Sequence, residues 1–323
     1  MMRYVPPNTL EELIENWSEA LAGYGTLRDF AKNTTVERVF NVQNLQELPF
    51  VVRYAEGYAQ REKLMATQKK EAQLRRGQLP LWPHDGSLDC FLCDNVGQAK
   101  VRGDNLVFSW DTSKDCVVLP NKYPSMTGHM LLVCKKHDDS KFKVPQIVSP
   151  HYLEQMMDLC NTYVLKAVRN HAKAGMSIPN HEHTHLSPLR VKEKSGAEIS
   201  LCSLDYAELV PTLFGRSIYR LKESRFDTLC FSSEDIVDVS LKVMEKLERD
   251  NVIFTYIYTP HKFYLTPHNT TVKQDKRRQY GGGGSGTYGW VGMKKEEMTF
   301  EKCMNVGKRF HPLKGTFCWE KYF

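Results

Sequence analysis

The sequence predicts an α+β fold. Three observations predict it. β-rich runs separated by turn residues fill 105–134, an amphipathic helical pattern covers 151–173, and the same strand-helix-strand order returns more loosely in the second half. The return suggests an internal duplication, although the two halves share little residue identity. The chain has 323 residues, enough for one large domain or two modest ones. Its 41% hydrophobic content permits a real core, and its 25% charged content suits a soluble surface.

Taken in order, residues 9–33 carry apolar residues at helical spacing. Residues 36–54 read as two strands around a polar turn, and residues 55–78 as a basic exposed helix or linker. A loop with Cys90 and Cys93 follows. "NLVFSW", "DCVVLPNKYP" and "GHMLLVCKKH" are the strands of the first half, and Gly175 and Pro179 close the helix after them. In the second half "FDTLCFS" reads as a strand. "SSEDIVDVSLKVMEKLERDN" opens with a Ser-x-x-Asp capping pattern and continues as a helix. "VIFTYIYTPHKFYLTPH" is a strand pair turned at Pro260. Residues 276–289 ("KRRQYGGGGSGTYG") form a basic, glycine-rich loop, either a mobile surface loop or a lid over a phosphate.

The nine cysteines show no small-scaffold framework and read as mostly reduced, as in a cytoplasmic protein. A Cys-x-x-Cys pair in that setting is a metal clip before it is a disulfide. The N-terminal stretch has no apolar signal core, and no run reaches membrane-spanning length, so neither a signal peptide nor a membrane partner is expected. A net charge of +6 favours anionic ligands such as phosphates or nucleic acid.

"SIPNHEHTHLSP" at 177–188 carries the chemistry, and it fits two incompatible patterns. As H-E-x-x-H it would be a zinc-protease helix, with His181 and His185 on one face and Glu182 as base. Pro179 and Pro188 leave about two helical turns between them, too little for that site. As a strand, His181, His183 and His185 project to one face, and Glu182, Thr184 and Leu186 to the other. The extended reading accounts for the alternation. Its plain alternative is a set of surface histidines on an edge strand.

"CFLC" at 90, "LPNKYPSMTGHMLLVCKKHDDS" at 119–140, "AGMSIPNHEHTHL" at 174–186 and the second half ending in "FYLTPH" together resemble the histidine-triad superfamily. The resemblance is to its branch of galactose-1-phosphate uridylyltransferases, GDP-hexose phosphorylases and dinucleoside tetraphosphate phosphorylases. It covers roughly residues 85–300 and is most specific at the triad. It implies a histidine-triad-like fold, two pseudo-repeated halves of mainly antiparallel sheet packed by helices. The division it implies is an extension over 1–80, a catalytic half over 81–195 and a degenerate half over 196–323.

The resemblance also implies a nucleotidyltransferase or phosphorylase in which His183 attacks an α-phosphorus and carries the nucleotide covalently. His185 and Ser177 would stabilise the developing charge. Asn121, Asn170 and Lys122 would contact the nucleotide. Cys90, Cys93, His137 and His181 would hold a structural zinc, iron being compatible with the same set. The donor would be a nucleoside diphosphate sugar or dinucleoside polyphosphate, and the acceptor phosphate or a sugar phosphate. A homodimer is compatible with the family, and RNA is not an expected partner. Histidine at 185, where many transferases of the branch have glutamine, leaves hydrolysis open. A non-catalytic nucleotide- or RNA-binding protein is the alternative from another class. Taken alone, His129 reads as a structural histidine satisfying local hydrogen bonds, and Arg190 and Lys192 as candidate phosphate partners.

Overall fold

The computed structural model describes residues 7–22, 34–39, 50–55, 108–109, 116–121, 126–134, 148–171, 181–192, 198–222, 224–232, 235–269, 290–291 and 311–323, with single residues at 92, 124, 299, 301, 305 and 308. In chain order the helices are α1 (Leu10–Ala22), α2 (Pro150–Tyr163) and α3 (Ile236–Arg249). The strands are β1 (Thr34–Val39), β2 (Phe50–Ala55), β3 (Phe108–Ser109), β4 (Cys116–Pro120), β5 (Met130–Cys134), β6 (Leu165–Asn170), β7 (His183–Pro188), β8 (Arg190–Lys192), β9 (Glu198–Ser200), β10 (Leu209–Thr212), β11 (Gly215–Leu221), β12 (Leu229–Phe231), β13 (Phe254–Thr259), β14 (Lys262–Pro267) and β15 (Trp290–Val291). The predicted α+β class is the observed one. None of the described helices is long and apolar enough to cross a membrane.

The chain divides into two compact units. The first comprises Met1–Thr35, Ala55–Pro145 and Ser177–Ser187, and the second Val36–Tyr54, Gln146–Met176 and Pro188–Phe323. In the first unit, strands pair antiparallel in the order β7-β5-β4-β3. Helix α1 packs on β4 through Leu13, Trp17, Ala20 and Leu21, which recur at helical spacing and are buried. Its start is capped from the sequence Asn8-Thr9-x-x-Glu12. Thr9 Oγ1 accepts the Glu12 N–H at 3.2 Å, and the Glu12 carboxylate accepts the Asn8 N–H at 2.6 Å.

In the second unit, the order β10-β11-β12-β14-β13-β6 is antiparallel throughout. Helix α2 lies against β6 and β13, and α3 against α2 and β12. Two buried charged side chains of the second unit are met by backbone groups. Lys166 is buried in β6 and donates to the Leu201 carbonyl at 2.7 Å. Asp227 is buried, and its carboxylate accepts the backbone N–H groups of Gly315, Thr316 and Phe317 at 3.0, 3.0 and 2.7 Å. That fixes the 311–323 segment to the strand edge at Phe226, which bridges Leu313. A separate small sheet joins β1, β2 and β15, with β15 parallel to β2.

Two expectations need correction. The helix expected over 151–173 stops at Tyr163, and residues 165–170 form strand β6. Ser149 caps its start by accepting the Tyr152 N–H, and Pro150 occupies the first turn, where no N–H is needed. Val164 ends it in the left-handed region, at φ 51° and ψ 52°, with its N–H on the Cys160 carbonyl. Pairing of "AVRN" with β13 overrides the helical pattern there. The second correction is the Ser-x-x-Asp cap. Helix α3 begins at Ile236, so Asp235 is itself the residue before the helix, and its side chain makes no capping bond. The turn at Pro260 is as expected: Thr259 pairs with Lys262 across a two-residue turn.

A β-branched residue in the left-handed region is disfavoured by its Cβ by about 1–2 kcal/mol. Val164 is 45% exposed, so little packing opposes its replacement. Val164→Asn is therefore expected to stabilise the protein by about 1 kcal/mol. Urea denaturation of the two proteins checks this, and an unchanged or lower midpoint would refute it.

Candidate active site

The register of the first unit builds the site. β5 faces β7 with Val133 opposite His183 and Leu131 opposite His185. The Cys134 N–H donates to the Glu182 carbonyl at 3.3 Å. That makes 182 a hydrogen-bonded ladder position, and 183 and 185 positions of the other kind, where facing side chains lie closer together. His183, His185, Leu131, Val133 and His129 therefore share one sheet face. The His183 and His185 rings are 5.4 Å apart at near right angles. The HEHTH stretch is extended from His183 onward, so the helical face a zinc protease requires is not formed.

Two carbonyls fix the ring tautomers. His181 Nε2 lies 2.8 Å from the Cys134 carbonyl oxygen. His183 Nδ1 lies 2.9 Å from the His181 carbonyl oxygen. A carbonyl only accepts, so the proton is on Nε2 of His181 and on Nδ1 of His183. His183 thus keeps its lone pair at Nε2, the nitrogen farther from the backbone. Both residues are buried, at 1% and 2% exposure, which holds the rings in single orientations.

His129 completes the cluster. It follows a turn in which its N–H donates to the Met126 carbonyl at 3.2 Å, with Gly128 at φ 73°. Glycine at the third position meets the positive φ of a type II turn. The His129 carbonyl accepts from the Asn121 N–H at 3.0 Å and from the Trp17 indole at 3.0 Å. Its Nε2 lies 3.1 Å from Asn121 Nδ2 and 3.0 Å from His185 Nδ1. An amide nitrogen only donates, so with Asn121 facing it His129 Nε2 accepts, and His185 Nδ1 supplies the second hydrogen. Neutral His185 then presents a lone pair at Nε2. Protonated, it presents an N–H suited to an anionic oxygen.

His181, His183, His185 and Asn121 come together in the first unit. Asn170 ends β6 in the second unit, where its Oδ1 accepts from Thr255 Oγ1 at 3.3 Å. Ser177, Lys122, Cys90, Cys93 and His137 lie outside the described residues. Among the described residues, no group of three or more His, Cys, Asp or Glu is placed to hold a metal. Arg190 is half exposed and pairs with Asp205 at 3.4 Å and Glu198 at 3.8 Å, and Lys192 is exposed. The contact that sequence reasoning missed is His129 with His185. Its signal was parity: in "GHMLLV", His129 is two residues from the partner of His185, on the same face.

These features define an α+β protein with a large antiparallel sheet packed by few helices and a histidine cluster on one strand. Its fold is shared with yeast Ap4A phosphorylase Apa2. The structure of Apa2 with Ap4A matches at a TM-score of 0.58 and 12% identity, over 94% of this chain and 97% of that one. Apa2 alone gives 0.58 and 12%, over 97% and 98% of the two chains, and Apa2 with AMP gives 0.51 and 10%, over 92% and 91%. At these identities the likeness is one of fold. No family model and no curated protein matches the sequence.

Long-range 15N NMR of the histidine rings is expected to show the Nδ1-protonated form at His183 and the Nε2-protonated form at His181. An Nε2-protonated neutral ring at His183 would overturn the assignment.

Proposed function

We propose that the protein is a nucleotidyltransferase of phosphorylase type, acting through a nucleotidyl-His183 intermediate. The observation that carries this reading is the His183 Nδ1 contact to the His181 carbonyl at 2.9 Å. It puts the ring proton on Nδ1 and so makes Nε2 the nitrogen that attacks an α-phosphorus. As the N–P bond forms and the bond to the leaving oxygen breaks, positive charge builds on the ring. The Nδ1–H bond to the carbonyl then becomes charge-assisted and stronger. The protein so stabilises the adduct more than the resting ring, which is the differential that catalysis requires. His185, held at Nδ1 by His129, offers Nε2–H to a non-bridging oxygen when protonated. Ser177 is assigned the same task, and Asn121, Asn170 and Lys122 are assigned to the nucleotide.

The donor in this reading is a dinucleoside polyphosphate or a nucleoside diphosphate sugar. The fold shared with an enzyme solved with Ap4A and with AMP supports the first of these. The acceptor is orthophosphate or a sugar phosphate.

The family resemblance also brings a structural zinc held by Cys90, Cys93, His137 and His181. The one described ligand suits it. With its proton on Nε2 and directed to a carbonyl, His181 presents Nδ1 as the coordinating nitrogen, the arrangement that orients ligating imidazoles. The metal would pin the start of the histidine strand to two loops. Purified protein is expected to contain about one zinc per chain by elemental analysis, and Cys90→Ser to lose it. A metal-free wild-type chain would refute the zinc site while leaving the transfer chemistry standing.

The chemistry is tested by intact-mass spectrometry after exposure to Ap4A and to a panel of nucleoside diphosphate sugars. A base-stable, acid-labile adduct of one nucleoside monophosphate is expected. His183→Ala should lack it and lose about 10⁴-fold or more in turnover. Release of a nucleoside diphosphate on adding phosphate identifies a phosphorylase, and release of a monophosphate in water a hydrolase. Intact nucleotides, no adduct and salt-sensitive RNA binding would refute the enzyme reading.

A further inference from the structure

The face of the first unit's sheet opposite the imidazoles carries a second pair of reactive groups. Cys116 and Cys134 are directly opposite each other in the β4–β5 ladder, and their sulfurs are 4.0 Å apart. The Asn121 N–H donates to His129 across the same ladder. Counting back in twos, 119 and 117 are hydrogen-bonded positions, and 116 is not. Cys116 and Cys134 therefore occupy a non-hydrogen-bonded pair, where Cα atoms approach to about 4.5 Å. That lies inside the range of about 4.4–6.8 Å that a disulfide spans. The sulfurs reach bonding distance by side-chain rotation, without moving either strand.

We propose that Cys116 and Cys134 form a reversible cross-strand disulfide when the protein meets hydrogen peroxide. Cys134 is partly exposed and Cys116 is buried, so the oxidant reaches Cys134 first. Peroxide transfers one oxygen to the Cys134 sulfur, giving a sulfenic acid and one water. The Cys116 sulfur then attacks that sulfur. The S–O bond breaks, the S–S bond forms, and hydroxide leaves with the Cys116 proton as a second water. Two thiols lose two electrons and two hydrogens, and one peroxide becomes two waters. A dithiol reductant reverses the step.

The other described cysteines do not compete. Cys160, Cys202 and Cys230 are buried, and burial pushes their thiols up, Cys230 to about 12, so they stay protonated and unreactive. Cys318 is exposed and would yield only intermolecular products. Cys134 is also the residue whose N–H holds Glu182 and whose carbonyl holds His181. The disulfide would thus form at the backbone position that anchors the histidine strand, with the sulfur drawn away from β7 toward β4.

The test uses the full chain. It is treated with hydrogen peroxide, quenched with N-ethylmaleimide and digested with trypsin without reduction. The two cysteines fall on separate peptides, DCVVLPNK and YPSMTGHMLLVCK. The expected product is their covalent pair, about 2 Da lighter than the sum of the two. Alkylation at both positions should be lost in parallel, and dithiothreitol should restore it. Cys116→Val, chosen to keep the buried volume, should abolish the pair and leave oxidised Cys134 unresolved. Both peptides recovered separately with Cys134 as a sulfinic acid, both still alkylated, or Cys134 linked to another cysteine would each overturn the proposal. None of these readouts depends on the transfer reaction.

Discussion

The antiparallel pairing of β5 with β7 is the constraint on which the histidine cluster depends. It sets which residues of HEHTH share a face, and it brings the Cys134 carbonyl to His181. The His181 carbonyl in turn reaches His183. The rings of His181 and His183 are each held by a main-chain oxygen. The protonated nitrogen of each ring is thereby fixed before any ligand arrives. A one-residue slip of register would move every ring to the opposite face at once.

The same economy recurs around the cluster. The His129 carbonyl accepts from Trp17 and Asn121, so helix α1, the end of β4 and the start of β5 converge on a single peptide group. Gly128 allows the chain to reverse there. In the second unit Lys166 and Asp227 show the corresponding rule for charge: each is buried and met by backbone groups. Polar side chains here hold the main chain in place and take their own orientation from it.

The triad was legible in the sequence because the period of a strand is two and the flanking prolines exclude a long helix. The strands at 116–134, the hairpin at 254–267 and the helices at 10–22 and 236–249 were legible for the same kind of reason. The end of α2 was not. Helices usually signal their left-handed terminus with glycine, and here valine occupies it, so the apolar spacing runs on into β6 without a break. Strand β10 was also missed, because Pro211 interrupts "LVPT" and reads as a breaker. His129 was legible only once register was known, since its partner is 56 residues away in sequence. The full zinc set and Ser177 rest on family resemblance; local spacing alone marks only Cys90 and Cys93 as a metal clip.

Pro211 has a meaning in the fold that its sequence context hides. The Lys222 N–H donates to Glu208, which makes 208 and 210 the inward-bonded positions of β10. Leu209 and Pro211 therefore turn their main-chain groups outward along the rim of the second unit's sheet. At 211 that rim offers a ring carbon where another chain would need a hydrogen. A neighbouring molecule that tried to extend the sheet would find its ladder interrupted after one rung. In a crowded solution this single imino acid favours separate molecules over fibrous stacks.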